Sequence, residues 1–133
     1  MNAGAEQGFW TDAEVISRYS RKQAIEDGVL IDVTQMAKEL GIVIPTAITQ
    51  NLWSSWVEVP EGLEGLQDEK GRLWDVLYMF SIAARRAITE SRLTYSVLFQ
   101  TKERKMKTVH LDAVCGPGDQ GEPVITIMLP GDD

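Results

Sequence analysis

From Leu93 onward, apolar and polar residues alternate in a way that few folds can use. Leu93, Tyr95, Val97 and Phe99 alternate with Thr94 and Ser96, and Val109, Leu111, Ala113 and Cys115 alternate with Thr108, His110 and Asp112. A third apolar run, residues 124–129, is closed by Pro130 and Gly131. A period of two sends successive side chains to opposite faces of a sheet, so each run predicts a strand with one buried face. The polar residues 102–105 and the turn-rich residues 115–121 make short connections between the runs. Three successive strands so joined predict an antiparallel meander.

Helix signals precede the meander. Thr11-Asp12-Ala13-Glu14 reads as a capping box, and Trp10 with Val15 has the spacing of a hydrophobic staple, predicting a helix over residues 12–19. Ser20-Arg21-Lys22-Gln23 repeats the capping pattern, and Gly28 suits the end of the short helix that follows. Residues 29–33 predict a brief strand or extended segment, Thr34 a cap for a helix ending at Gly41, and residues 42–44 an extended stretch. Pro45 suits the first turn of a helix reaching Trp56, in which Ile48, Leu52 and Trp56 fall four apart. After an acidic connection, residues 71–87 predict a long central helix with a core face of Leu73, Val76, Leu77, Phe80, Ala84 and Ala87, widened by Trp74 and Ile82. Helices followed by strands in blocks predict an α+β fold, with N-terminal helical segments packed on one face of a C-terminal three-stranded antiparallel meander. At 133 residues there is room for one core, giving a flexible segment at residues 1–9 and a single α+β domain over residues 10–130.

Composition narrows the classes of function. No apolar run approaches the roughly 20 residues that a membrane helix needs. Residues 1–8 have neither the basic start nor the apolar stretch of a signal peptide, so a cytoplasmic chain without membrane contact is expected. Cys115 is the single cysteine and His110 the single histidine, which excludes an internal disulfide and a Cys/His zinc site within one chain. No cofactor-binding motif is present, and nothing in the pattern speaks to oligomeric state.

Charge is uneven. The net charge is −7, with twelve acids against four bases in residues 1–69 and eight against nine in residues 70–133. An acidic whole argues against direct nucleic-acid binding and suits a basic protein partner, or mimicry of DNA. Glu58, Glu61, Glu64, Asp68 and Glu69 crowd one connection, just after Trp53 and Trp56. Trp53, Trp56, Glu61, Glu64, Asp68 and Glu69 are therefore the candidate binding residues, an aromatic anchor with an acidic rim. The basic residues Lys102, Arg104, Lys105 and Lys107 have no interleaved aromatic, and read as a solvated hairpin that blunts edge-to-edge pairing.

Catalytic constellations are weaker. Cys115 and His110 are five apart on one predicted strand, so they point to opposite faces, and Cys115 is expected to be a buried core thiol. His110 and Asp112 share a face and are the candidate base and orienting group. Residues 116–122 are glycine-rich but lack the Lys-Ser/Thr ending of a phosphate loop and run into a strand. Asp119 and Glu122 in that loop lack calcium-loop spacing.

Residues 19–34, YSRKQAIEDGVLIDVT, resemble the opening signature of a group of small proteins carried on bacterial plasmids, integrative elements and phages. Gly71-Arg72-Leu73-Trp74-Asp75-Val76-Leu77, Ala113-Val114-Cys115-Gly116-Pro117-Gly118-Asp119 and residues 121–130 resemble its middle and closing segments. The resemblance brings no activity. It implies an accessory protein of a mobile element in a bacterial cytoplasm; the acidic half and the weak catalytic constellations add the expectation that it acts by binding another protein, with a host nuclease or defence complex as the partner class. The alternative is a small hydrolase-like enzyme using His110, Asp112 and loop acids such as Asp119 and Glu122.

Overall fold

The computed structural model describes residues 19–59, 68–87, 90–101 and 103–132. The helix expected over residues 12–19 lies, but for Tyr19, outside them, as do Glu61, Glu64 and Lys102. The elements in order are α1 (Arg21–Glu26), β1 (Leu30–Asp32), α2 (Thr34–Glu39), β2 (Thr46–Thr49), the short helix α3 (Gln50–Leu52) running into a π-helical turn (Trp53–Val57), α4 (Glu69–Arg86), β3 (Arg92–Gln100), β4 (Met106–Pro117) and β5 (Pro123–Met128).

Local chemistry places most of these. The Ser20 hydroxyl accepts from the Gln23 amide at 3.0 Å and caps α1. Gly28 and Gly41, at φ +79° and +85°, take the left-handed conformation that ends α1 and α2. Thr34 is the first residue of α2 instead of its cap: the Asp32 carboxylate receives both the Thr34 amide (3.0 Å) and its hydroxyl (2.6 Å). Asp68 caps α4, accepting from the Gly71 amide at 2.6 Å.

The sheet corrects the expected architecture. It has five strands in the order β1-β2-β5-β4-β3, and it is mixed. The meander β3-β4-β5 is antiparallel, but β2 adds to it in parallel, with Thr46, Ala47 and Ile48 opposite Ile125, Thr126 and Ile127. β1 then pairs antiparallel with β2. The expected helix from Pro45 to Trp56 is thus a strand for its first third. Pro45 sits just before the strand, where its carbonyl accepts from Ile125 N (2.9 Å) and its missing N–H costs nothing. Thr49 then turns the chain, its hydroxyl accepting from Leu52 N at 3.1 Å. The Glu58 amide reaches the Trp53 carbonyl, five residues back, at 2.8 Å. That widened turn directs both Leu52 and Val57 inward, and both are fully buried.

One face of the sheet carries the core. Ile48, Tyr95, Val97, Phe99, Val109, Leu111, Ala113, Ile125 and Ile127 pack against Leu73, Val76, Leu77 and Phe80 of α4 and Ala37 of α2. Helical segments lie on both faces, not one. Arg21 of α1 donates to Thr126 Oγ1 (2.7 Å) and the Ile125 carbonyl (2.7 Å), and the Thr126 side chain alternates with the core-facing Ile125 and Ile127. The far end of the chain is tied back by Asp132, whose carboxylate accepts from Thr49 Oγ1 at 2.8 Å and Asn51 Nδ2 at 2.9 Å.

Candidate functional site

β3 is an edge strand nine residues long. Its register with β4 decides which backbone groups are used. At one end the Cys115 amide donates to the Ser91 carbonyl (2.8 Å), and at the other the Thr101 amide donates to the Lys105 carbonyl (2.8 Å). In an antiparallel pair bonded and non-bonded residues alternate. Leu93, Tyr95, Val97 and Phe99 therefore bond to β4, and Thr94, Ser96, Leu98 and Gln100 turn their N–H and C=O outward. The Gln100 carbonyl is taken by Arg72, a short contact, and the same guanidinium donates to the Trp56 carbonyl at 2.6 Å. Among the described residues no hydrogen bond reaches the backbone of Thr94, Ser96 or Leu98 from the outer side.

Beside this edge lies a cleft of about 490 Å³ between the first half of α4 and the end of β3. Trp74 and Asp75 line it from the helix, Leu98 and Gln100 from the edge strand, Met106 from β4, and Asp68 from the helix cap. The apolar members are unusually open: Leu98 is 55% exposed, Met106 61% and Trp74 38%, with Tyr78 at 47% one helical turn after Trp74. Trp74 reaches this cleft from the helix, and Leu98 and Met106 reach it from the other face of the sheet edge; exposed apolar side chains converging on a cleft are the kind of feature that marks an interaction surface. Burial beside the helix pushes the Asp75 carboxyl above its ordinary range, so it gains from a cation placed against it.

The expected aromatic anchors sit differently. Trp53 and Trp56 are half-buried and packed against the core. The Trp56 ring stacks on Phe99 at 5.5 Å between centroids, and Lys107 Nζ lies 5.6 Å from its centroid. Trp56 thus holds the π-turn to the sheet. Asp68 is spent as a helix cap while still reaching the cleft, and Glu69 is exposed in the first turn of α4. Trp74 is the exposed tryptophan in the cleft, although it was expected to widen the core face of the helix. The signal that identifies it is its four-residue spacing to Tyr78, off the Leu73–Val76–Leu77–Phe80 stripe.

The catalytic candidates are not brought together. His110 and Asp112 share the outer face of β4, but each pairs across to β3. His110 Nδ1 lies 2.9 Å from Ser96 Oγ, and Asp112 accepts from Thr94 Oγ1 at 2.8 Å and from Arg92 Nη2 at 3.1 Å. Ser96 with His110 and Thr94 with Asp112 are non-bonded pairs, which approach most closely across antiparallel strands, and Arg92 reaches Asp112 on the diagonal. Ser96 is the partner of His110 that spacing alone did not reveal, because register decides it. Asp119 lies in the β4–β5 loop, beyond Pro117, which is itself about 17 Å along the strand from Asp112 at 3.3–3.4 Å per residue. Its carboxylate accepts from the Arg21 and Lys22 amides at 2.8 and 3.0 Å, and those two bonds hold it below the ordinary carboxylate range. Glu122 accepts from the Gln120 amide at 2.9 Å within its own loop. Cys115, expected to be buried, is half-buried and lines a small apolar cavity of about 240 Å³ with Phe80, Ala84, Leu93 and Ile125. Among the described residues no three His, Cys, Asp or Glu side chains are grouped to hold a metal ion, and no helix is long and apolar enough to cross a membrane.

The fold and the site together define a small α+β domain whose mixed sheet ends in a long open edge flanked by a helix. Its family follows from the sequence as a whole: the chain belongs to the DUF6573 family, a family of unknown function, whose model matches residues 6–133. No curated protein and no solved structure matches the chain.

Proposed function

We propose that this chain is a protein-docking module, and that its docking surface is the face built by Trp74, Asp75, Tyr78, Leu98 and Met106. The observation that carries the reading is the exposure of Leu98 and Met106, both more than half open beside two carboxylates in a cleft. Apolar side chains at the centre and charge at the rim are the usual anatomy of a binding face. The hydrolase-like reading has no comparable support, since His110 and Asp112 face separate partners and Asp119 and Glu122 line another part of the molecule. The resemblance to proteins of plasmids, integrative elements and phages extends the proposal. The chain would serve a mobile element in a bacterial cytoplasm, by binding a host nuclease or defence complex.

The test is paired capture from the native host. Tagged wild-type protein and a Leu98→Asp, Met106→Asp variant are used as baits, and recovered proteins are compared by mass spectrometry. Circular dichroism first checks that the variant is folded. A partner retained by the wild type and lost by the variant supports the surface; equal recovery by both overturns it.

A further inference from the structure

We propose that the outer edge of β3 receives an extended segment of a partner protein as an added strand, seated beside α4 and carrying a basic side chain opposite Asp75. This rests on the docking reading above and assigns its mode. Thr94, Ser96 and Leu98 each turn one donor and one acceptor outward, about 6.6–6.8 Å apart, which is the repeat of an extended chain and of no helix. Arg72 closes the Gln100 carbonyl, so the ladder available to a partner ends at Leu98.

The sequence of this edge is also telling. β3 opens on a charged residue, Arg92, but its remaining eight residues, LTYSVLFQ, contain no charge, proline or glycine. Exposed edges are ordinarily blunted by such residues, and the opposite edge, β1, is three residues long and ends in Asp32. An unblunted long edge is suited to strand addition, in which main-chain bonds supply affinity and side-chain pockets supply specificity.

The geometry also selects the occupant. α4 lies over β3: Tyr95 donates to the Val76 carbonyl at 2.8 Å, and Phe80 packs on Tyr95 at 5.9 Å between ring centroids. If two copies paired β3 with β3 about a two-fold axis, both α4 helices would sit over strands only about 4.8 Å apart, whereas packed helices need about 8–10 Å. A bare extended segment meets no such clash. Its side chain on the helix side approaches Asp75 and Asp68, while Arg72, the cation of the cleft, is engaged by two carbonyls. Lysine or arginine complements that charge, and apolar neighbours complement Leu98 and Met106.

The probe is a displayed library of random 12-residue peptides, selected on the full-length protein. The best peptide is resynthesised with one backbone nitrogen methylated at a time. Strand addition predicts a two-residue rhythm: methylation facing β3 weakens binding about tenfold or more, and methylation at the intervening positions changes it less than about threefold. Amide exchange at Thr94, Ser96 and Leu98 should slow in the complex, and Asp75→Asn should weaken binding and flatten its salt dependence. Failure to select any peptide overturns the proposal, as does a scan with no alternation. A dimer in solution that Ser96→Pro dissociates overturns it too, by giving the edge to a second copy. If the scan fails but the Leu98→Asp, Met106→Asp variant still loses its captured partner, the surface stands and only the strand mode falls.

Discussion

Replacing Arg72 by methionine removes a cation that the fold has placed almost out of solvent, at 4% exposure. Its guanidinium joins three elements: it donates to the Trp56 carbonyl at the end of the π-turn, donates to the Gln100 carbonyl at the end of β3, and lies 5.4 Å from the Phe99 ring centroid. Burial pulls its pKa below the ordinary arginine value, but a guanidinium stays charged. Each hydrogen bond to a charged group contributes about 1.5–3 kcal/mol. Trp56 and Gln100 are only half-buried, so water can reach part of what Arg72 leaves, and the low end of that range applies twice. Methionine keeps most of the apolar stem. The expected loss is therefore about 3 kcal/mol, a large fraction of the roughly 5–15 kcal/mol that stabilises an ordinary domain. Urea denaturation followed by tryptophan fluorescence measures it. Arg72→Lys should recover less than half of the loss, because an ammonium is a compact point donor that does not reproduce the fork. A loss below about 1 kcal/mol for Arg72→Met would refute the idea that this side chain pins the π-turn to the sheet edge.

Other expectations are smaller. Tyr95→Phe should cost about 1 kcal/mol by removing the hydroxyl's bond to the Val76 carbonyl, which keeps its helical partner, read from the same denaturation curves. Burial raises the Tyr95 pKa well above 10, so its contribution is complete below the unfolded tyrosine pKa and is lost as pH rises toward the folded value. Ultraviolet titration should show one tyrosine that ionises only when the protein unfolds. Asp119 has a depressed pKa, so its hold on α1 is present above the unfolded aspartate pKa and disappears as pH falls through the folded one. Protection of the Arg21 and Lys22 amides, relative to their intrinsic exchange rates, should fall over that acid range in the wild type, and Asp119→Asn should remove this change in protection. Leu98→Lys should change stability by no more than about 0.5 kcal/mol, because the side chain is mostly in water. A larger loss would mean that Leu98 is part of the core.

Much of this fold could be read from local chemistry. The Ser20 cap, the glycines at 28 and 41 and the alternation of residues 93–99 and 108–115 each name an element, because capping and pleating act over a few residues. β2 resisted for the same reason. Thr46, Ala47 and Ile48 are buried on both faces, so no alternation of apolar and polar residues marks the strand, while Ile48, Leu52 and Trp56 imitate a helical stripe across its boundary. Its parallel partner β5 lies far along the chain, and no window of sequence contains both. The candidate site was legible only in kind. An aromatic residue beside acidic ones was expected at Trp53 and Trp56; those two are partly buried, whereas Trp74 beside Asp75 is exposed, since whether a tryptophan faces in or out depends on what packs over it. The open edge was invisible, because it is a property of strand order.

The pairing of β2 with β5 has a consequence for how the protein comes into being. The two strands are about 80 residues apart, so at a synthesis rate of about 5–20 residues per second β2 leaves the ribosome roughly 4–16 seconds before its neighbour exists. Until then the β1–β2 pair lacks the strand that joins it to the rest of the sheet, and a two-stranded unit is marginal in water. The N-terminal half must wait, exposed, for the last strand, so assembly is expected late, slow and nearly all at once. A nascent chain stalled before Pro123 should accordingly be digested by protease throughout, and one released after Met128 should become resistant in a single step.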